Sequence, residues 1–209
     1  MGYEYKVVVG GVEYGMEDIA IDSAVLTQPL FDKPSVGNAC AAEFSMSFWP
    51  SVEPPRMAEI RPYVRKSPDD EWELLGIFWL DERSRDGDLL TVKAYDAMLK
   101  ADVDWTPTDD MEFPMTMEKA AETIAAAMGT TLDPRCGFKD GYNIDSFPVN
   151  YTMRDVLGYI AISHVGNWIV TAEGKLLLVP LFGSAPPETN YLVTEDGDPI
   201  LFGDTRILI

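Results

Sequence analysis

The clearest pattern in the chain is a strict alternation of apolar and polar residues at positions 43–49. Phe44, Met46 and Phe48 point to one side of the predicted strand, and Glu43 and two serines point to the other. Turn-forming residues, beginning with Gly10-Gly11, separate this run from its neighbours. Further strands are predicted at residues 3–9, 12–14, 19–27, 60–65, 72–80 and 89–95. Because no helical periodicity intervenes, the first hundred residues are predicted to form an antiparallel β-barrel-like domain or a sandwich.

Residues 72–80 (WELLGIFWL) differ from the other runs because they are almost continuously apolar. This pattern predicts a strand that is buried on both faces, or one buried against a neighbouring subunit. Polar residues at 67–70 and 84–88 are predicted to form the turns before and after it.

Helical periodicity begins after an acidic, proline-containing stretch at residues 101–114. The first predicted helix spans residues 117–128 and ends at Gly129. Its apolar stripe has i, i+3, i+4, i+7 spacing and comprises Met117, Ala120, Ala121, Ile124 and Met128. A second helix is predicted from Thr152 to about His164, with Thr152 as N-cap and Asp155 near the helix N-terminus.

The rest of the chain is predicted to be irregular at residues 132–147 and to form a hairpin at 167–179, with its turn at Glu173-Gly174. A second hairpin is predicted from residues 191–194 and 200–202, and a terminal strand at 206–209. The expected class is α+β. The expected organisation is a β-barrel-like tube domain at 1–100 and an α/β domain at 101–182. Strands at 183–209 would return to the first domain or continue in a longer protein.

Composition changes this picture little. The chain has 209 residues, of which 46% are hydrophobic and 24% charged, values typical of a globular protein. No apolar run approaches the length of about 18–20 residues that a membrane span needs. The first residues lack the basic and apolar segments of a signal peptide.

The charge of the chain excludes more classes of function than its composition does. Sixteen basic residues face 35 acidic ones, giving a net charge of −19. The acids are spread over both halves of the chain. Binding to nucleic acid needs many lysine or arginine contacts to phosphate, which this chain cannot easily supply. Binding to an anionic membrane surface is disfavoured for the same reason.

The residues of nucleophilic and zinc chemistry are scarce. Cys40 and Cys136 lie far apart in sequence, so free thiols are expected, although one disulfide remains possible. His164 is the single histidine, which argues against zinc sites rich in histidine and most histidine-based triads. Its place at a helix C-terminus favours a structural role. No phosphate-binding glycine loop and no G-x-S-x-G motif occurs.

Acidic residues offer two weak candidates for a site. Asp102, Asp104, Asp109 and Asp110 resemble half of a calcium loop but lack its mid-loop glycine and terminal glutamate, which favours a solvated acidic loop. The pair Asp81-Glu82 beside an aromatic residue has the residue types of a glycosidase site, without a specific spacing.

Tryptophans supply a third alternative. Trp72, Trp79 and Trp105 could act as stacking platforms of a carbohydrate-binding adhesin module. No catalytic, cofactor-binding or metal-binding residue is therefore assigned, and no enzymatic activity is expected.

Taken in order, three segments of the first half and one of the second resemble a known family. They are residues 51–65 (SVEPPRMAEIRPYVR), 72–78 (WELLGIF), 89–96 (LLTVKAYD) and 151–165 (YTMRDVLGYIAISHV), the last followed by the hairpin IVTAEGKLLLV. Their order, with the alanine-rich helix between them, is similar to the N-terminal hub region of phage tail proteins, in particular prophage tail proteins of siphoviruses infecting Gram-positive bacteria. The resemblance spans about residues 43–180.

The resemblance implies a structural protein of the virion tail tip, assembled in the bacterial cytoplasm. It would form part of the baseplate hub ring that continues the tail tube, with DNA only passing through the channel. Members are typically trimers that contact adjacent tail proteins, namely a distal tail or tube protein and the tape measure. An acidic wall that repels phosphate, and unpaired sheet edges for neighbours, agree with that role.

Overall fold

The computed structural model describes residues 3–31, 35–106, 108 and 111–181, and the backbone of 201–202 and 205–206. The first part of the chain folds into an antiparallel sheet in the order β2-β1-β5-β7-β8-β4-β3, with β6 beside β5. Its strands are β1 (Glu4–Val9), β2 (Val12–Tyr14), β3 (Val25–Thr27), β4 (Glu43–Phe48), β5 (Glu59–Arg65), β6 (Glu73–Leu74), β7 (Phe78–Asp86) and β8 (Leu89–Tyr95).

The prediction of a barrel-like domain was wrong in one respect, because the sheet does not close. In the described residues β2 and β3 remain at opposite edges and do not pair with each other. A barrel needs every strand to be hydrogen-bonded on both sides. The edge strand β3 has three residues, all of them exposed, and the sheet therefore stays open at that side.

The inner face of the sheet forms its own apolar core, as the alternation at 43–49 predicted. Phe44, Met46 and Phe48 are buried. The Phe44 ring lies 5.6 Å from the Phe78 ring, and the Tyr14 ring meets the Phe48 ring edge-on at 4.8 Å. The curved sheet thus packs residues of β2, β4 and β7 against one another.

Two strand predictions need correction. The strand predicted at 19–27 is limited to Val25–Thr27, preceded by a single bridge between Ile19 and Phe48. The strand predicted at 72–80 is divided into β6 and β7, and the chain between them packs Gly76 close to the Phe78 ring, leaving no room for a Cβ. It is not buried on both faces, because buried and half-buried residues alternate from Gly76 to Leu80. β7 also continues to Asp86, through the predicted turn. Its polar half is paired to β8 beyond a bulge at Leu80/Glu82.

The second part of the chain is built on two helices. A 3₁₀ helix (Ala97–Ala101) follows β8, and β9 (Met115–Thr116) leads into α1 (Met117–Ala127). β10 (Asn143–Ile144) pairs with β9 within the segment predicted to be irregular. α2 (Met153–Ser163) precedes the hairpin of β11 (Gly166–Val170) and β12 (Leu176–Pro180).

Both helices begin and end as predicted. The Thr152 hydroxyl accepts a hydrogen bond from the N–H of Asp155 at 3.1 Å, and the Asp155 carboxylate accepts from the N–H of Thr152 at 2.9 Å, which completes a capping box. Gly129 takes a positive φ of 76° immediately after the α1 C-cap. In the predicted α1 stripe, Met117 is half-buried and the other four residues are buried.

A second apolar core lies between the helices and the β11–β12 hairpin. Trp168 is fully buried, and its indole Nε1 donates to the carbonyl of Leu157 at 2.7 Å. β7 lies between the two cores over a short stretch: Phe78 and Leu80 enter the first, whereas Trp79 packs against the second.

The last segment tests the terminal predictions only in part. β13 (Leu201–Phe202) pairs with β14 (Thr205–Arg206), and in the described backbone neither strand pairs with the first sheet. The predicted strand at 191–194 lies outside the described residues, as does 207–209. The boundaries at 100 and 182 remain predictions. No helix in the described part of the chain is long and apolar enough to span a membrane.

Candidate interaction surface

The carboxylates considered for hydrolysis do not form a buried pair. Asp81 and Glu82 are both exposed. They follow the β-bulge, so that Asp81 lines a cleft with Arg56 and Arg83, whereas Glu82 lies opposite Lys93 in the ladder. A site for two-carboxylate catalysis needs both groups at one cleft, and this arrangement separates them.

Asp96 is a buried carboxyl that sequence reasoning did not single out. Burial raises its pKa to about 6, although hydrogen bonds from the N–H groups of Ala42 and Met98 favour the charged form. Both bonds are 2.9 Å long, and the side chain caps the 3₁₀ helix. Asp96 therefore has a structural role in joining β8 to the segment before β4.

The acidic loop does not form a metal site in the part of the chain that is described. The Asp102 carboxylate is paired with Arg154, and Asp104 bridges through its backbone to Thr152. Asp109 and Asp110 lie outside the described residues. Within those residues no three metal-ligating side chains come together.

The His164 ring is held in place by two hydrogen bonds. Its Nε2 accepts a hydrogen bond from the N–H of Lys139 at 3.1 Å, so Nδ1 carries the proton and donates to the carbonyl of Ile160 at 2.9 Å. The ring also contacts Phe138 and Tyr142. These hydrogen bonds and ring contacts agree with the structural role that the sequence favours.

Each of the three tryptophans is at least partly covered by other groups of the protein. Arg65 lies 4.4 Å from the Trp72 ring and Lys6 lies 4.8 Å from it. Lys100 lies 3.7 Å from the Trp79 ring. Trp105 is buried in the second core, since only 4% of its surface is exposed.

The cysteines are not joined by a disulfide. Cys136 is half-buried, and burial raises the pKa of its thiol. Its sulfur accepts a hydrogen bond from the N–H of Leu178 at 3.3 Å. A thiol in this environment is a packing group with low nucleophilicity.

A cleft beside α2 contains an arginine whose hydrogen bonds are made within the protein. Its volume is about 440 Å³, and Arg154 lies in its wall. The Arg154 guanidinium donates to the carbonyls of Ala39 and Met98 and to the Asp102 carboxylate. These bonds tie the segment before β4 to α2, and they leave the guanidinium little capacity for a ligand.

Three exposed apolar side chains lie together in one loop, and they define a surface that is separate from the sites described above. Residues 49–57 (WPSVEPPRM), here called the proline loop, connect β4 to the turn before β5. The exposed fraction is 48% for Trp49, 60% for Val52 and 49% for Met57. Tryptophan, methionine and arginine are enriched in protein interfaces, and this loop presents all three.

The body of the protein holds the proline loop in place. Pro54 is buried, and its carbonyl accepts a hydrogen bond from Arg83 at 2.9 Å. Pro55 lies against Gly10 in the β1–β2 turn, where an added Cβ would stand 3.4 Å from its ring. Met57 adopts a positive φ of 56°, which is uncommon for a side chain of its size. The exposed side chains are thus presented from a fixed backbone.

The charge balance of this surface differs from that of the chain as a whole, because Arg56, Arg83 and Arg85 outnumber the two carboxylates beside them, Glu53 and Asp81. Arg83 and Arg85 share the single carboxylate of Glu53, and Arg56 has no ion-pair partner among the described residues. Arg56, Met57 and Arg83 line a cleft of about 450 Å³ with Leu80 and Asp81. In the sequence some of these residues stand out only as part of a family resemblance. The polar half of β7 brings Arg83 and Arg85 to the loop, and no local pattern predicts that pairing.

Comparisons with known proteins support the fold alone. No family model matches the chain, and no curated protein matches it. The fold is similar to that of two solved tail proteins. One is the tail protein of Neisseria meningitidis MC58, with a TM-score of 0.60 and 16% identity over 92% of this chain and 55% of that one.

The other is the 43 kDa tail protein of prophage MuSo2 from Shewanella oneidensis, with a TM-score of 0.59 and 14% identity over 92% of this chain and 57% of that one. This chain therefore spans a little more than half the length of either protein. Its α+β architecture, an open antiparallel sheet followed by two helices and a hairpin, is an architecture found in phage tail proteins.

Proposed function

We propose that this chain is a structural subunit of a phage or prophage tail, part of the hub ring that continues the tail tube at the tail tip. The observation that carries the proposal is the likeness to two tail proteins over 92% of the chain. A trimer is the expected assembly, with a distal tail or tube protein and the tape measure as neighbours.

Two features of the sheet support assembly with neighbours. The edge strand β3 is exposed along its whole length and includes Val25 and Leu26, both apolar. The strand at the opposite edge, β2, is equally short. An edge strand leaves backbone N–H and C=O groups unpaired within its own sheet, and these groups are available for pairing with another chain.

The charge of the protein supports a channel role. A net charge of −19 repels phosphate at distances up to a Debye length of about 8 Å at physiological salt. A ring of such subunits would let DNA pass without retaining it. The role of the protein would then be structural, without enzymatic activity and without a cofactor.

The two rival functions have less support. A hydrolase would need a pair of carboxyls in one cleft, and Asp81 and Glu82 are separated. A carbohydrate-binding module would need exposed aromatic faces, whereas cations lie over the rings of Trp72 and Trp79, and Trp105 is buried.

The test is co-assembly with the adjacent tube or distal tail protein of the same phage, followed by light scattering. Stable complexes at tens of micromolar are expected. Salt is varied from about 0.05 M to about 0.5 M, which shortens the Debye length from roughly 14 Å to roughly 4 Å. Failure to bind either neighbour across this range would contradict the proposal, as would turnover of peptidoglycan or another glycan by the chain alone.

A further inference from the structure

A second charged surface lies at the far end of β5 from the proline loop. Residues 66–71 (KSPDDE), here called the acidic turn, follow β5, and Asp69, Asp70 and Glu71 are all exposed. In the described part of the chain none of these three carboxylates forms an ion pair. Arg65 holds the turn by donating to the carbonyl of Pro68 at 3.0 Å, so the acids are presented from a tethered backbone.

The two charged surfaces are at opposite ends of one strand. Arg56 precedes β5 by three residues, and Asp69 follows it by four. Seven residues of strand extend over about 20 Å. The acidic turn of a chain is therefore too distant to reach its own cleft, and the charges can meet only between two copies.

We propose that the cleft at Arg56 and Arg83 binds the acidic turn of a second copy of this chain, and that this head-to-tail contact is the one that joins subunits. The inference rests on the proposed function, and it names the contact within the ring. Charge complementarity selects the occupant, because the guanidinium groups of the cleft outnumber its carboxylates, and the acidic turn carries three carboxylates without an ion-pair partner among the described residues.

The apolar side chains around the cleft complete the match. Met57 lines the cleft with the arginines, and Trp49 and Val52 are exposed in the same proline loop. Pro68 of the acidic turn is also exposed and offers an apolar surface to them. An arrangement of this kind, with buried aromatic and arginine groups at the centre, is typical of interface hot spots. A contact between two different surfaces of the same chain repeats from copy to copy, and it forms a ring when the rotation closes.

The experiment compares two variants by sedimentation of the full chain at low salt. Arg56→Glu alters the cleft, and Asp69→Asn/Asp70→Asn/Glu71→Gln neutralises the turn. Each variant alone is expected to self-associate at least about tenfold more weakly than wild type, because one half of the contact is missing. High salt should weaken the wild-type association as well.

Mixing the two variants gives the decisive measurement. One has an intact turn and the other an intact cleft, so a single contact can form, and a species of twice the 23.2 kDa chain mass is expected, with nothing larger. The matched controls Lys139→Glu and Asp140→Lys change exposed charges near α2 and should associate as wild type. Unchanged melting temperatures would show that all variants fold.

Several results would overturn the contact: a wild-type chain that stays monomeric at hundreds of micromolar, an Arg56→Glu variant that associates like wild type, or a mixture without dimer. The proposed function fails separately. A chain that binds its tube or distal tail neighbour but does not self-associate keeps the hub role and loses this contact. A chain that self-associates through the cleft but binds neither neighbour keeps the contact and loses the hub role.

Discussion

The carboxylate of Asp96 accepts a hydrogen bond from the backbone N–H of Ala42, 54 residues earlier in the chain, at 2.9 Å. This bond joins the end of β8 to the segment that enters β4, at the point where the two apolar cores meet. Because the bond is buried, it links the stability of the protein to the ionisation of one carboxyl.

Stability should fall as pH rises from about 4 to about 6. The pKa of Asp96 is about 6 in the folded protein, against 3.8 for an ordinary aspartate carboxyl in an unfolded chain, so the folded state holds the proton more tightly. The stabilisation from this group is complete below pH 4 and is lost as pH rises through 6. About two pKa units correspond to roughly 3 kcal/mol.

Denaturant unfolding at several pH values, with Asp96→Asn as the comparison, measures this effect. The variant should lack the decline between pH 4 and pH 6, because asparagine does not titrate. A parallel decline in both proteins would assign the effect to another group.

Thr152→Ala should lower the free energy of unfolding by about 0.5–2 kcal/mol, because it removes the cap that bonds to the N–H of Asp155. The control is Thr123→Ala in α1, where the hydroxyl donates to the carbonyl of Lys119 inside a helix. That change should be nearly neutral, since alanine favours the helix. Equal losses in the two variants would show that the capping box contributes nothing specific.

Phe44→Asp should unfold the first core, because an unpaired carboxylate among buried rings costs several kcal/mol. Ser45→Asp is the matched control. Ser45 is on the opposite face of β4 and pairs with Lys93 in the ladder, so the new charge gains a neighbour of opposite sign. Melting by circular dichroism separates the two, and a wild-type melting temperature for Phe44→Asp would refute the assignment of faces.

Two buried tryptophans should respond differently to replacement by phenylalanine. The indole of Trp168 donates to the carbonyl of Leu157, whereas the Trp105 Nε1 is buried with no hydrogen-bond partner among the described residues. Trp168→Phe should therefore destabilise the protein by about 0.5–1.5 kcal/mol more than Trp105→Phe. Chemical denaturation measures the difference, and a larger loss for Trp105→Phe would mean that its N–H is bonded after all.

Local sequence patterns predicted many of the secondary-structure elements correctly. The alternation around Phe44 identified the buried face of β4, because side chains of a strand alternate whatever the strand pairs with. Thr152 identified the start of α2, because a cap depends on residues within three positions of it. The α1 stripe and Gly129 identified that helix for the same reason.

Tertiary structure decided the features that join distant residues. Whether the sheet closes depends on β2 and β3 meeting, which no residue in either strand encodes alone. Arg83 and Arg85 reach the proline loop only because β7 continues beyond its apolar half along β8. Asp102 of the acidic loop forms an ion pair with Arg154, which lies 52 residues later in the chain.

The division follows from the range of the forces involved. Alternation, capping and turn formation act over a few residues, and the sequence therefore determined the elements and their buried faces. Sheet closure, ion pairing and the opposite placement of the arginine cleft and the acidic turn depend on which distant segments come into contact. Only the folded chain, in which β5, about 20 Å long, lies between the segments of Arg56 and Asp70, decided those.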